Sequence, residues 1–169
     1  KSTSSTEADE QFNYVKTGTD SQKILGRRGD DVRIDWGYFY MAADKNHTNA
    51  VGNALNLRKS FAEGGEVVAS NDGNQMALSA KIGKVGAKEV SNYIMVGYDD
   101  IYSIQYFREN IRPYWNRKGD SSIQKQFALA AAEYEQLMKR CEKFDAELMA
   151  DGLKAGGKEY AELLALAYR

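Results

Sequence analysis

Eight apolar residues, Ile123, Phe127, Ala130, Tyr134, Leu137, Cys141, Phe144 and Leu148, recur at alternating spacings of four and three. That period fits an α-helix, because a strand would throw successive members of the set onto opposite faces. It predicts a helix of about seven turns carrying one continuous apolar stripe. Ser121 with Gln124 three positions on reads as a capping box at its start. Gly152 and the pair Gly156-Gly157 end it. A second helix from Lys158 then turns Tyr160, Leu163, Leu164, Ala167 and Tyr168 inward. Two helices joined through glycine make an αα-hairpin. Cys141 lies on the stripe and reads as a core thiol rather than a nucleophile.

Upstream of Asp100 the pattern changes. The turn clusters Gly18-Thr19-Asp20, Arg28-Gly29-Asp30-Asp31, Gly64-Gly65 and Asn71-Asp72-Gly73-Asn74 separate runs of strand character. The clearest run is VRIDWGYFYMA, residues 32–42. Val32, Ile34, Trp36, Tyr38 and Tyr40 fall on one face and Arg33, Asp35, Gly37, Phe39 and Met41 on the other, so both faces are expected to be covered. Gln75–Ile82 and Ser91–Tyr98 supply two more strands, separated by a connection holding Gly83 and Gly86. Strands without intervening helices predict an antiparallel sheet, most simply part of a sandwich. Residues 1–10, KSTSSTEADE, lack periodicity and read as a flexible lead-in. The spacing of Ile101, Ile104, Phe107, Arg108 and Ile111 predicts a linker helix running to Pro113.

The expected class is α+β: a lead-in over 1–10, later strands of a β-sandwich over 11–100, and a linker helix with the first αα-hairpin of a helical domain over 101–169. The chain opens on Lys1, and its last helix reaches Arg169 without a stop signal. It therefore reads as an internal window of a longer chain, and self-association through exposed apolar edges is expected.

Composition excludes several function classes. There are 23 Lys plus Arg against 24 Asp plus Glu in 169 residues, a net charge of -1, which argues against a nucleic-acid partner reached by bulk electrostatics. One Cys and one His exclude a disulfide framework, a cysteine-built zinc site and a multi-histidine metal centre. No apolar run approaches the ~20 residues of a membrane span. No P-loop, dinucleotide-binding glycine pattern or nucleophile elbow occurs, so neither cofactor nor metal is expected.

Two clusters carry the candidate chemistry. In ILGRRGDDVRIDWGYFY, residues 24–40, six charges fall within nine positions beside Trp36. Carboxylates held by arginines serve either as acid, base or substrate clamp, or as a network pinning a turn to the strand behind it. Asp30, Asp31 and Asp35 are the catalytic candidates here, and Arg28 and Trp36 the substrate-binding ones. In MVGYDDIYSIQYF, residues 95–107, Asp99 and Asp100 are further catalytic candidates and Tyr98 a binding one. Their bland alternative is capping of the helix expected to follow. Tyr102, Tyr106, Phe107, Tyr114 and Trp115 either line a small-molecule pocket or glue a helix to the sheet. His47 lies in a polar loop without a recognisable nucleophile nearby.

Taken in order, ILGRRGDDVRIDWGYFYMA, YIMVGYDDIYSIQYF, PYW and the helical stretch from YEQLMKRCEKFDAELMADGLKAGGKEY to the last residue resemble the large secreted glutaminases of bacteria and fungi. The resemblance implies an N-terminal β-sandwich followed by a domain of stacked αα-hairpins, an extracytoplasmic (periplasmic or secreted) location, and hydrolysis of L-glutamine to L-glutamate and ammonia. It implies that this chain alone is inactive and that its partners are glutamine in the full-length protein and the remaining domains of that protein. It transfers no catalytic residue onto this stretch. Two other readings rest on the residues alone. One is a glycan-directed hydrolase or carbohydrate-binding module, from tyrosines and tryptophan beside paired aspartates. The other is a helical interaction module using the 123–148 stripe.

Overall fold

The computed structural model describes residues 2–26, 36–64 and 75–168. The chain is mixed α+β, with antiparallel β-sheets followed by a long helix. It divides into two compact units, Lys1–Phe127 and Ala128–Arg169.

The first unit is built on a four-stranded antiparallel sheet in the order β1-β2-β3-β6: β1 (Ser2–Ala8), β2 (Phe12–Thr19), β3 (Tyr38–Asp44) and β6 (Met95–Asp99). Residues 2–8 are thus a strand and not a flexible lead-in. The strand STSSTEA has no apolar alternation to read, and cross-strand polar pairs help fix it to β2. Ser4 and Thr17 share a hydroxyl hydrogen bond of 2.7 Å, and Lys16 Nζ lies 3.1 Å from Glu7 Oε1. Asp9 makes the turn between them, its Oδ1 accepting from the backbone N–H groups of Gln11 and Phe12, each at 2.8 Å. Its other oxygen takes the Tyr14 hydroxyl hydrogen bond. Desolvation works to raise the Asp9 pKa, but these three hydrogen bonds and the Lys45 charge hold the carboxyl below its ordinary value. Burial, followed by the bond to Asp9, pushes the Tyr14 phenol well up.

The first face of β2 and β3 is covered, but the second only in part: Phe39, expected to be covered, is exposed, as are Val96 and Tyr98 across from it on β6. Phe12, Tyr14, Tyr40 and Ala42 are buried on one face, and Val15 and Ala43 on the other. A two-stranded ladder of β4 (Thr48–Asn53) and β5 (Met76–Ala80) lies against β2 and β3. Between these two strands sits a helix that the run of turn signals concealed, α1 (Ala54–Ala62). Asn53 caps it by accepting from Asn56 N at 3.1 Å, and Leu57 is its one buried residue.

Where a linker helix is expected there is instead a hairpin of β7 (Ile104–Tyr106) and β8 (Glu109–Ile111). Its turn residues Phe107 and Arg108 hold φ of 45° and 69°. Hairpin turns of this kind normally announce themselves with Asn-Gly, and neither residue is present to break the helical spacing. A single 3₁₀ turn over Tyr114–Asn116 leads on to α2 (Ile123–Ala167). Ser122 rather than Ser121 caps α2, its Oγ accepting from Lys125 N at 3.3 Å. The start of α2 seals the first face of the sheet. Phe127 stacks against Tyr14 with ring centroids 5.8 Å apart, and Ile123 and Phe127 crowd Gly97, which sits opposite Tyr40.

The second unit is an αα-hairpin. Continuous helix breaks once, at Gly157, where φ is 78° and ψ is -168°. Gly152 does not end the first arm; it lets the two arms touch. A Cβ there would stand 2.9 Å from Ala161 Cα, and Ala161 is fully buried. Phe144 and Tyr168 close the far end with centroids 4.8 Å apart. Over the described residues the second arm runs roughly 16 Å at ~1.5 Å per residue and brings Tyr168 beside Phe144. Leu137, Cys141 and Phe144 line an open pocket together with Tyr168. Cys141 is exposed, correcting its reading as a core thiol.

Candidate functional site

Trp36 is the hub of the junction between strands β3 and β6. Its ring is 2% exposed, and its indole N–H donates to the carbonyls of Asp100 at 2.7 Å and Tyr102 at 3.0 Å. The Tyr98 hydroxyl donates back to the Trp36 carbonyl. Gly37, at φ 86°, lies flat against the Asp99 carbonyl in a space that no Cβ fits. Gln22 clasps the same peptide from the other side, its Nε2 donating to Gly37 O at 3.3 Å while its Oε1 accepts from Gly37 N. Trp36 and Tyr98 are thus brought together, but as fasteners of the β3–β6 junction.

Asp99 and Asp100 are also accounted for locally. Asp99 Oδ1 accepts from Ile101 N at 3.0 Å, supporting a residue held at φ 60°. Asp100 Oδ2 accepts the Ser103 hydroxyl at 2.6 Å. They shape the turn into the β7–β8 hairpin and cap no helix, since none follows. Asp30, Asp31, Asp35 and Arg28 lie outside the described residues. His47 stands in a loop beside Asp44, 3.6 Å from Nδ1 to Oδ1, with the His47 side chain exposed and that of Asp44 partly so.

A second polar group, unflagged by sequence, spans three strands on the face covered by α2. Lys16 Nζ sits 4.3 Å from the Tyr38 ring centre and 5.6 Å from that of Tyr40. Glu7 pairs with Lys16 through Oε1 and accepts Gln124 Nε2 on Oε2 at 3.0 Å. Burial disfavours the ammonium, but bonds to the Tyr40 oxygen and to Glu7 outweigh it and raise its pKa. Desolvation foremost pushes the Tyr40 phenol up as well. The residues sit three strands apart in sequence, so only strand register reveals them as neighbours. They tie β1, β2, β3 and α2 together, and no nucleophile joins them among the described residues.

The third grouping is the loop that follows Pro113. Tyr114, Trp115, Arg117, Lys118 and Asp120 line a small cavity of about 230 Å³. The Arg117 guanidinium lies over the Tyr114 ring at 4.3 Å, and that of Arg112 over Tyr102 at 5.0 Å. The loop is pinned from within. Gly119 N donates to Asn116 O at 2.9 Å, and Ser121 N donates to Asn116 Oδ1 at 3.0 Å. Among the described residues no carboxylate comes within ion-pair distance of Arg112, Arg117 or Lys118. No group of three or more His, Cys, Asp or Glu side chains able to hold a metal ion occurs among the described residues either. No described helix is long and apolar enough to cross a membrane.

This arrangement defines an α+β domain whose polar groups serve mainly to fasten its parts. A family model described as a domain of unknown function, DUF5127, matches residues 1–151, and the chain belongs to that family. The match takes in the sheet, the loop after Pro113 and most of the first arm of α2. No curated protein and no solved structure matches the chain.

Proposed function

We propose that this DUF5127 chain is the β-sheet domain and leading helical hairpin of a secreted, glutaminase-like amidohydrolase, and that it carries structure rather than catalysis in that enzyme. In the whole protein, water adds to the γ-carboxamide carbon of L-glutamine, the C–N bond breaks, and ammonia and L-glutamate leave. One observation carries the reading. The separated segments on which the glutaminase resemblance rests meet in space: Trp36 binds the backbone of Asp100 and Tyr102, Tyr98 binds Trp36, and Gly37 packs on Asp99. Residues that are far apart in sequence and interdigitate in one junction behave as a family's structural signature. The αα-hairpin after the sheet follows the order the resemblance implies. The candidate carboxylates among the described residues are occupied in turns, in keeping with a non-catalytic role.

The test is ammonia release from glutamine by the full-length protein and by this chain, followed with a coupled glutamate dehydrogenase assay. Release by the full-length protein and none by the chain is the expected result. A silent full-length protein refutes the activity, and an equally active isolated chain refutes the non-catalytic role.

A further inference from the structure

We infer that the loop over residues 113–120 is a binding site for a sugar bearing a carboxylate, of the uronic acid class. Four features lead there, and none belongs to the amidohydrolase reading. The stretch from Ile104 to Asp120 holds Arg108, Arg112, Arg117 and Lys118 against Glu109 and Asp120, a local charge of 4 - 2 = +2 in a chain of net charge -1. Arg112, Arg117 and Lys118 form no ion pair among the described residues, and Arg117 and Lys118 are exposed. Aromatic rings stand beside them, with Tyr114 81% exposed and Arg117 stacked on it. The open pocket of about 230 Å³ that these side chains line has room for about one sugar ring.

The chemistry of the lining discriminates among anions. Arg117 and Lys118 offer donors to a carboxylate, and the guanidinium does so in a planar fork. The exposed ring of Tyr114, with the half-buried Trp115 beside it in the lining, offers a flat apolar surface to the C–H face of a sugar. Asp120, in the same lining, accepts hydroxyl donors but repels a densely charged chain. Nucleic acid presents one charge per ~1.7 Å of duplex and no free hydroxyls in that density, so Asp120 and the net charge of -1 both oppose it. A uronate has one charge per ring and several hydroxyls, and it satisfies all five side chains. The internal hydrogen bonds of the loop mean that little ordering remains to be done on binding.

The experiment is calorimetric titration of the chain with an oligogalacturonate, with the methyl ester of the same oligomer, and with a short DNA duplex. Binding of the free acid, with at least tenfold weaker binding of the ester and of DNA, is expected. Arg117→Ala and Tyr114→Ala should each weaken binding of the acid about tenfold with no change in thermal unfolding, and Arg117→Lys should recover part of the loss. Absence of binding to the acid overturns the site. So does equal binding of ester and acid, or DNA bound as tightly as the acid. If Tyr114→Ala binds like the parent while Arg117→Ala does not, the surface is a plain cationic patch and the sugar assignment falls.

Discussion

Replacing Gly37 with alanine would put a methyl group 2.3 Å from the Asp99 carbonyl oxygen and 2.9 Å from Asp100 Cα. Two costs add. Holding a non-glycine residue at φ 86° costs about 1–2 kcal/mol. Relieving the clash costs about 1–3 kcal/mol more, because the obstacle is backbone and has no rotamer to escape into. The expected loss is therefore about 2–5 kcal/mol. Gly64 supplies the control, since it also has positive φ, 66°, but nothing lies within 4 Å of its hypothetical Cβ. Gly64→Ala should carry only the conformational part, and the reduced freedom of the unfolded chain offsets both variants equally. The difference between them, about 1–3 kcal/mol, isolates the packing at the β3–β6 junction. Urea unfolding followed by tryptophan fluorescence is the natural assay, because Trp36 is buried against this junction. With a urea slope of ~2 kcal/mol per molar, Gly37→Ala should lower the midpoint by roughly 1–2.5 M. Equal losses for the two variants would refute the claim that the tight Gly37–Asp99 contact fastens the sheet.

Two further outcomes are expected. Tyr14→Phe removes the hydroxyl that helps hold Asp9 charged, costing about 1–2 kcal/mol at neutral pH. The folded Asp9 pKa lies below its unfolded value of 3.8, so its contribution is present above that pH and is lost as pH falls through the folded value. The variant should accordingly lose less stability than the parent between about pH 4 and pH 2, as read from urea midpoints across that range. Gly152→Leu should part the hairpin arms, because its Cβ would already stand 2.9 Å from Ala161 Cα. Amide exchange over 158–167 should then accelerate towards that of a fraying helix while protection of Phe12–Thr19 stays unchanged, and unchanged exchange in the second arm would contradict the contact.

What the sequence discloses follows where the physics is local. The spacing from Ile123 to Leu148 is a property of one segment, and α2 runs through it as that spacing requires. Tyr40 and its neighbours likewise announce a strand, although its second face is covered only in part, with Phe39 exposed. The β1 strand is invisible because its pairing rests on Ser4–Thr17 and Glu7–Lys16, contacts made with a partner strand rather than written in its own period. The hairpin at Phe107-Arg108 is mistaken for helix because its left-handed turn is built from residues that ordinarily avoid that conformation. Paired aspartates at 99 and 100 do mark a special place, but their partners, Ile101 N and the Ser103 hydroxyl, give them a structural use that types alone cannot distinguish from a catalytic one. The polar group around Lys16 depends on register across three strands, and the cations after Pro113 become noticeable only once the structure shows that they form no ion pair among the described residues.

The break at Gly157 has a consequence for chirality. Its dihedrals, φ 78° and ψ -168°, are close to the mirror image of an ordinary extended, polyproline-like residue. No heavy atom lies within 4 Å of the position a side chain would take. Size is therefore no barrier there, and handedness is the whole constraint. Every L-amino acid is excluded by its own backbone, whereas a D-residue of almost any bulk would sit at the turn in its relaxed conformation. The hairpin is in this sense closed by an achiral hinge standing in for a residue that ribosomal synthesis does not provide.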